Sequence, residues 1–266
     1  GLGDVYKRQH IPREGAGQLA LVGPPNAGKS SLLAALTHAH PEIAEYPFTT
    51  RAPHPGLMPF EDVQVQLIDT PPVAEPFDPL VVTVARNADG TLLVLDLSAP
   101  EAIEHVDLLR RFLDRARIIP RGRPVPEELA ISGRVQPVLI AFNKADLGVD
   151  EEMARLAREA LGSDLPDRRI SASHGGGLED LRAALFATLD VLRVYTKEPG
   201  KKPDLGRPFV LRRGATVLDL ATIIHKDVGA SFRFARVWGS AKFEGQQVER
   251  DHVLRDRDVV EIHAAG

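Results

Sequence analysis

The run Gly-Pro-Pro-Asn-Ala-Gly-Lys-Ser at residues 23–30 constrains the fold of this chain more than any other feature. An aliphatic run precedes it at residues 19–22, and a helix-forming stretch follows it at residues 31–36. The order predicts a strand, a glycine-bearing loop and a helix start, which is the arrangement that cradles a polyphosphate. The alternative is a glycine-containing turn before an ordinary helix, and the presence of both flanks disfavours it.

The residue types of this loop suit phosphate binding. Gly23 and Gly28 let the backbone turn so that successive N–H groups point inward, and the positive end of the following helix adds to that field. Lys29 can reach the β- and γ-phosphates, where we expect a catalytic role, and the Ser30 hydroxyl can ligate Mg²⁺. The predicted nucleotide-contacting residues of the loop are Gly23, Pro24, Pro25, Asn26, Ala27, Gly28, Lys29, Ser30 and Ser31.

The composition bounds the class of protein. Of the 266 residues, 43% are hydrophobic and 26% charged, as in ordinary globular proteins. The chain has no cysteine, which excludes disulfides, thiolate metal sites and cysteine nucleophiles. No apolar run approaches the roughly 20 residues that span a bilayer, and no cleavable signal pattern is visible. We therefore expect a cytoplasmic protein with no membrane partner.

Strand-like and helix-like stretches alternate along most of the chain. Buried strands are predicted at residues 91–97 and 138–142, and a helix is predicted between them at residues 101–115. This alternation favours a three-layer α/β domain with a mostly parallel sheet. The proline-rich stretch at residues 42–59 predicts a long irregular loop, and residues 178–192 are predicted to form one helix.

The expected domain organisation has four parts. Residues 1–14 are interpreted as a non-native or truncated start, residues 15–194 as the α/β domain, residues 195–204 as a linker and residues 205–266 as a small β-grasp module. From residue 200 onward, 12 Lys and Arg stand against 9 Asp and Glu. This balance fits an anionic partner such as nucleic acid, but taken by itself it favours the alternative of a solvated surface.

Asp69 is a second candidate site residue, because it ends the alternating strand predicted at residues 63–68. Ligands of open α/β sheets bind at the carboxyl edge of the strands, which is also where the phosphate loop is expected. An acidic residue at that edge can hold the Mg²⁺ shell through water. A strand-end aspartate that caps the next helix is the open alternative.

The run Asn143-Lys144-Ala145-Asp146 follows a buried strand and carries base-recognition chemistry. The Asp146 carboxylate can accept two hydrogen bonds from the N1–H and the exocyclic amine of guanine, a donor pair that adenine lacks. The stem of Lys144 can lie across the base, and Asn143 can tie this run to the phosphate loop. After the next strand, Ser171-Ala172-Ser173 can offer a backbone N–H to the base carbonyl. A polar turn after a strand is the alternative.

These four motifs, in this order, resemble the translation-factor-like class of small GTP-binding domains. The run Tyr-Pro-Phe-Thr-Thr at residues 46–50 and the tail narrow the resemblance to the Obg/DRG group. The resemblance implies that residues 15–194 form a P-loop GTPase domain that hydrolyses GTP to GDP with Mg²⁺. It also implies that residues 46–50 form the first switch. Thr50, with Thr49 as the fallback, would be a catalytic residue that joins Ser30 and Asp69 in the magnesium shell when GTP is bound.

The tail resembles the TGS domain, a β-grasp fold shared by DRG proteins, threonyl-tRNA synthetases and the alarmone synthetase family. The matching segments lie at residues 213–221, 225–227, 235–239, 243–246 and 254–260. The resemblance implies GTP and GDP as ligands of the first domain. It also implies a ribosome or RNA partner that is reached through the tail.

Two positions depart from the family pattern. Pro72 stands where such GTPases usually carry a glycine whose N–H senses the γ-phosphate, and proline has no N–H. Val73 stands where many GTPases place a glutamine that orients the attacking water. Some related GTPases with an apolar residue there recruit K⁺, partly through an asparagine of the phosphate loop, and Asn26 occupies that place. An Asn26 that only hydrogen-bonds its own loop is the alternative.

Three functions are open on these residues. A slow, potassium-stimulated GTPase switch is favoured, because the base, phosphate and magnesium groups are all retained. A guanine-nucleotide-binding scaffold with negligible hydrolysis is the alternative, because Pro72 and Val73 replace the usual switch residues. An ATPase would require a different recognition of the base edge, which Asp146 opposes.

Overall fold

The protein divides into two compact units between Leu189 and Asp190. The computed structural model describes residues 11–37, 52–162 and 164–264. The sequence predicted that the first domain ends at residue 194, five residues later than this division. The difference arises because Val191–Thr196 is a strand that pairs within the second unit.

The first unit is built on one mostly parallel sheet. Its strands are β1 (Gln18–Val22), β2 (His54–Phe60), β3 (Val63–Asp69), β4 (Gly90–Asp96), β5 (Ile118–Pro120), β6 (Arg134–Gln136), β7 (Val138–Asn143) and β8 (Asp167–Arg169). The sheet order is β2-β3-β1-β4-β7-β8, with β2 antiparallel to β3 and the other neighbours parallel. Strands β5 and β6 form a separate parallel pair. The predicted α/β class with a mostly parallel sheet is confirmed.

Helices cover this sheet and bury its central strands. They are α1 (Lys29–Thr37), α2 (Pro79–Asn87), α3 (Ala102–Ala116), α4 (Glu151–Leu161) and α5 (Leu178–Thr188). Every residue of β1, β4 and β7 is buried, as expected of parallel strands that are packed on both faces. Aspartates start two of the helices: the Asp78 carboxylate accepts from the Leu80 amide, and the Asp150 carboxylate accepts from the Glu152 amide.

Two predictions of secondary structure in the first unit are wrong. The stretch at residues 42–59 was predicted as irregular, yet His54–Phe60 forms β2 and pairs with β3 in an unbroken register. Proline is tolerated there because β2 is the outermost strand of the described sheet. The helix predicted at residues 178–192 ends at Thr188, because the aliphatic residues that follow enter a strand of the second unit.

The second unit is a small five-stranded sheet with a helix packed on one face. Its elements are β9 (Val191–Thr196), β10 (Asp204–Arg212), α6 (Val217–Ile224), α7 (Lys226–Ala230), β11 (Phe232–Trp238), β12 (Gln246–Val248) and β13 (Asp258–Ala264). The sheet order is β10-β9-β13-β11-β12, and β13 runs parallel to β9. Thr216 and Asp219 form a capping box that starts α6, and Leu220 of this helix is buried in the core. The predicted linker is shorter than residues 195–204, since its ends lie in β9 and β10.

Within residues 11–37, 52–162 and 164–264, none of the helices is both long and apolar enough to cross a membrane. The same part of the chain contains no cluster of three or more His, Asp or Glu side chains that could hold a metal ion by themselves. A Mg²⁺ ion that keeps its waters and binds a ligand's phosphates does not need such a cluster.

Candidate functional site

The predicted phosphate loop joins the end of β1 to the start of α1, and its backbone needs glycine at two points. Gly28 has a φ of 87°, and a Cβ there would lie 2.3 Å from Nδ2 of Asn143. A Cβ at Gly23 would lie 2.5 Å from the carbonyl oxygen of Val94. Asn26 also has a left-handed φ of 61°, a conformation that asparagine adopts more readily than most residues. At Gly23 and Gly28 the loop therefore lies too close to its neighbours for a larger side chain.

Lys29 is the first residue of α1 and is almost completely buried. Its ammonium donates to the carbonyl oxygen of Gly23 at 3.0 Å, and that of Pro24 lies 3.4 Å away. Burial lowers the pKa of Lys29, and the nearby Asp69 carboxylate opposes that shift. The loop carbonyls thus hold the ammonium beside the turn that is predicted to receive the phosphates.

Ser30 and Asp69 meet at the same edge of the sheet. The Ser30 hydroxyl donates to Oδ2 of Asp69 at 2.5 Å, and the Asp69 side chain is buried. Burial raises the pKa of Asp69, while the Ser30 hydrogen bond and the positive charge of Lys29 lower it. The second oxygen, Oδ1, is buried and accepts no hydrogen bond from any described residue. An exposed serine hydroxyl paired with a buried carboxylate that has a spare oxygen fits the hydrated shell of a Mg²⁺ ion.

Asn143 connects the phosphate loop to the base-recognition motifs. Its Nδ2 donates to the carbonyl oxygen of Ala27 at 2.9 Å, and its Oδ1 accepts from the amide of Ala172 at 3.0 Å. The side chain is buried at the end of β7. The tie between Asn143 and the phosphate loop, which the sequence predicts, is therefore present, and it extends to the serine motif after β8.

Lys144 is fixed by a partner that the sequence analysis did not identify. Its backbone is left-handed, with a φ of 59°, and its ammonium lies 2.8 Å from Oδ2 of Asp96 at the end of β4. The Ser98 amide and hydroxyl also donate to Asp96. Burial raises the pKa of Asp96, but the hydrogen bonds from Lys144 and Ser98 outweigh it and leave the pKa below its usual value. An ionised Asp96 thus holds the lysine stem that is predicted to cover the base.

Asp146 lies in a short helical turn, Ala145–Leu147, beside the serine motif. A hydrogen bond from Ser171 and the nearby His174 lower the pKa of Asp146, so the carboxylate is ionised at neutral pH. His174 places Nδ1 3.3 Å from Oδ2 of Asp146 and 3.0 Å from the Ser173 hydroxyl. The sequence analysis did not select His174, although its position directly after the serine motif could have indicated it.

The segment that follows Asp69 is fastened to the rest of the unit. The Val73 amide donates to the Gly23 carbonyl at 2.9 Å, and the Val73 side chain is 3% exposed in the core. Further along, Glu75 forms an ion pair with Arg111 of α3 at 3.0 Å. This ion pair joins residues that are far apart in the sequence, and no motif marks it. Pro72 has no N–H that could contact the γ-phosphate, and Val73 has no polar side chain that could orient water. Neither residue therefore supplies the role that the family pattern gives to its position.

Thr50 and Thr49, the predicted first-switch residues, lie outside the described residues, as does the rest of the run at residues 46–50. The other predicted site residues lie in three places. The loop at residues 23–31 and Asp69 form one group, the Asn143 motif forms the second, and Ser171, Ala172 and Ser173 form the third. The Ser30–Asp69 hydrogen bond lies within the first group, and the two hydrogen bonds of Asn143 join the three groups at the carboxyl edge of β1, β3 and β7.

Comparison with known proteins agrees with this fold and this order of motifs. A family model described as "50S ribosome-binding GTPase" matches residues 18–144, and the TGS domain model matches residues 192–264. An uncharacterised GTP-binding protein of Halobacterium salinarum is 31% identical, over 96% of this chain and 85% of that protein. The developmentally-regulated GTP-binding protein 2 homolog of Dictyostelium discoideum is 29% identical, over 95% of this chain and 84% of its own length.

A crystal structure of a GTP-binding protein from Pyrococcus horikoshii has the same fold. It superposes with a TM-score of 0.62 over 93% of this chain and all of that one, at 19% identity. The chain therefore belongs to the Obg/DRG-type family of GTP-binding proteins, with a P-loop GTPase domain followed by a TGS domain.

Proposed function

We propose that the protein binds GTP at the carboxyl edge of the first sheet and hydrolyses it to GDP with Mg²⁺. The observation that carries the proposal is the pair of hydrogen bonds made by Asn143 to Ala27 and Ala172. One buried side chain thereby joins the loop predicted to hold phosphates to the motifs predicted to hold guanine. A single mononucleotide can span the two, with Asp146 accepting from the base.

The phosphate end of the site would hold the metal. The Ser30 hydroxyl would ligate Mg²⁺ directly, Asp69 would hold it through water, and Thr50 would join the shell in the GTP state. The ion supplies positive charge that stabilises the oxygens of the transferring phosphoryl group. Lys29 lies beside the phosphate loop and would add a second positive charge. These groups bind and orient the triphosphate, which is most of what phosphoryl transfer requires of a protein.

A second candidate function is a guanine-nucleotide scaffold with negligible hydrolysis. It is favoured by the buried Val73 side chain, whose amide is already hydrogen-bonded to the Gly23 carbonyl. Neither Val73 nor Pro72 offers a polar side chain that could orient the attacking water. In the GTPase proposal that task passes to another group, and we infer a K⁺ ion that is held partly by Asn26.

Single-turnover hydrolysis separates the two functions. Excess protein is mixed with radiolabelled GTP at saturating Mg²⁺, in K⁺ and in Na⁺ buffers, and the rate is compared with that of GTP alone. The GTPase proposal expects a rate above the uncatalysed one and a faster rate in K⁺ than in Na⁺. Tight GTP binding with no acceleration in either buffer would contradict hydrolysis and leave the scaffold.

A matched pair of variants tests the role of Asn26. The substitution Asn26→Gly keeps the left-handed backbone but removes the carboxamide, whereas Asn26→Asp keeps a side-chain oxygen. We expect Asn26→Gly to lose the difference between K⁺ and Na⁺, with GTP affinity largely retained. A difference that persists in Asn26→Gly would contradict the potassium role of this residue.

We also infer a ribosome or RNA partner for the second unit. The description of the matching GTPase family names the 50S ribosome, and the chain from residue 200 onward carries more Lys and Arg than Asp and Glu. GTP would then control a cycle of engagement and release, as it does in other GTPase switches.

A further inference from the structure

A cavity of about 500 Å³ opens in the first unit, beside β1 and β3. It borders Gln18 at the start of β1, whereas the phosphate loop follows Val22 at the end of that strand. Because a strand rises about 3.3 Å per residue, the two positions lie roughly 13 Å apart on opposite edges of the sheet. Ile68 also lines the cavity and comes directly before Asp69, but none of the described residues predicted to contact the nucleotide is part of the lining. The size of the cavity is within the range of small-molecule pockets.

The floor of the cavity is apolar. Ile11, Ile68 and Val84 line it, and each is at least nine-tenths buried. Beside them, the buried Gln18 amide donates to Oε1 of Gln66 at 2.8 Å, so this polar wall is fixed in place. Because these three side chains expose little surface, the floor offers a ligand a small apolar contact beside a mostly polar lining.

The rim of the cavity is cationic. Arg13, Arg86 and Arg134 line it, and no acidic residue among those the structure describes does so. Arg13 is paired with Asp89 at 2.7 Å, but Arg86 donates to the backbone carbonyls of Ala116 and Ser132, which leave its charge unneutralised. Arg134 is exposed and has no side-chain partner in the described part of the chain. Neither Arg86 nor Arg134 is therefore paired with a carboxylate among the described residues.

We propose that this cavity binds a small organic anion. The apolar part of the ligand contacts the small apolar floor. Its phosphate, carboxylate or sulfonate group accepts hydrogen bonds from the exposed Arg134, and the charge of Arg86 adds to the attraction. Guanidinium groups form strong, charge-assisted hydrogen bonds with such groups. We expect the ligand and the nucleotide to bind at the same time, because none of the described residues predicted to contact the nucleotide lines this cavity.

Two fluorescent probes with matched shapes test the proposal. The first is 1-anilinonaphthalene-8-sulfonate, which has a flat apolar body and one anionic group. The second is N-phenyl-1-naphthylamine, which has nearly the same body without the charge. Both are titrated into the full chain saturated with GDP, so that the nucleotide site is already occupied. We expect one saturable site for the sulfonate and binding at least about tenfold weaker for the neutral probe.

Variants identify where the probe binds. Arg134→Gln is expected to weaken sulfonate binding about tenfold, and Arg134→Lys is expected to restore part of it. Thr83→Phe, on the helical wall of the cavity, is expected to block the probe while it retains all three arginines. The matched control is Arg233→Gln, which removes an exposed arginine of the second unit and is expected to change nothing.

Several outcomes would overturn the proposal. Equal affinity for the two probes would show apolar adsorption without anion recognition. Sulfonate binding that survives both Arg134→Gln and Thr83→Phe would place the probe elsewhere. A loss in Arg233→Gln as large as that in Arg134→Gln would show a general charge effect, and failure of the sulfonate to bind the GDP-saturated protein would remove the independent site.

Discussion

Asp146 is a partly exposed carboxylate whose ionised form is stabilised by Ser171 and His174. We expect Asp146→Asn to lower GTP affinity by about a hundredfold and to raise affinity for xanthosine triphosphate. The reason is that the carboxylate accepts two hydrogen bonds from guanine, and hydrogen bonds to charged groups contribute about 1.5–3 kcal/mol each. In Asp146→Asn, an NH₂ donor replaces one carboxylate oxygen. This donor can form a hydrogen bond with the carbonyl that xanthine carries in place of the exocyclic amine of guanine. Competition binding with both triphosphates measures this exchange of nucleotide preference.

Asp164→Asn is the control for that exchange, since Asp164 is an exposed acid of the same unit with no partner among the described residues. It should leave both affinities unchanged. If Asp146→Asn keeps its preference for GTP over xanthosine triphosphate, Asp146 does not read the base.

Single residues were predictable from sequence where they belong to a motif at the end of a strand. Asn143 is such a case, because the need for a side chain that joins two loops follows from the order of the motifs. His174 and the Lys144–Asp96 pair were not predictable in that way. Asp96 ends a different strand from Lys144, and only the sheet order brings the two together.

At the scale of elements, β9 is held to the turn before β13 by a buried arginine. Arg193 is 3% exposed and donates to Asp256 at 2.7 Å. Burial raises the pKa of Asp256, but the hydrogen bonds from Arg193 outweigh it, and the pKa lies below the usual value. A lowered folded-state pKa stabilises the fold above the unfolded-state pKa of about 3.9, and that contribution is lost as the pH falls through the folded-state pKa.

We therefore expect Asp256→Asn to destabilise the second unit at pH 7 by about 1–3 kcal/mol, because a buried guanidinium loses its charged acceptor. Below pH 4 the free energies of unfolding of the variant and the wild type should converge. Urea unfolding followed by the fluorescence of Trp238, the single tryptophan, measures this unit. Asp251→Asn, an exposed acid of the same unit, is the control. A difference in the free energy of unfolding between Asp256→Asn and the wild type that is the same at pH 3 and at pH 7 would contradict the ion-pair account.

Most helices and strands followed from periodicity, but two boundaries did not. Strand β2 contains Pro55 and Pro59, and proline usually argues against a strand. Its pairing with β3 could not be inferred from residues 54–60 alone. Helix α5 was predicted too long because Val191 and Leu192 continue an apolar pattern that suits either a helix or a strand. Their pairing with β10 in the second sheet decides between the two.

For the whole molecule, the two units have separate hydrophobic cores. We expect GDP to raise the unfolding temperature of the first unit and to leave that of the second unchanged. At a concentration one hundred times its dissociation constant, a ligand adds about 2.7 kcal/mol, which corresponds to roughly 5–10 °C for a unit of this size. Differential scanning calorimetry detects both transitions, and Trp238 fluorescence identifies the second.

The variant Asp146→Asn serves as the control here, since it should remove the shift at the same GDP concentration. A Trp238 transition that rises with GDP by as much as the first transition would show that the two units unfold as one.

The prolines of β2 also affect how readily the protein aggregates at high concentration. Pro55 and Pro59 are four residues apart, so their nitrogens point to the same side of the strand, and the unbroken pairing with β3 assigns that side to the outer border. The border therefore lacks two of the amide donors that a foreign strand would need. Aggregation by strand addition is hindered along this part of β2, and replacing either proline would restore a docking point for misassembly.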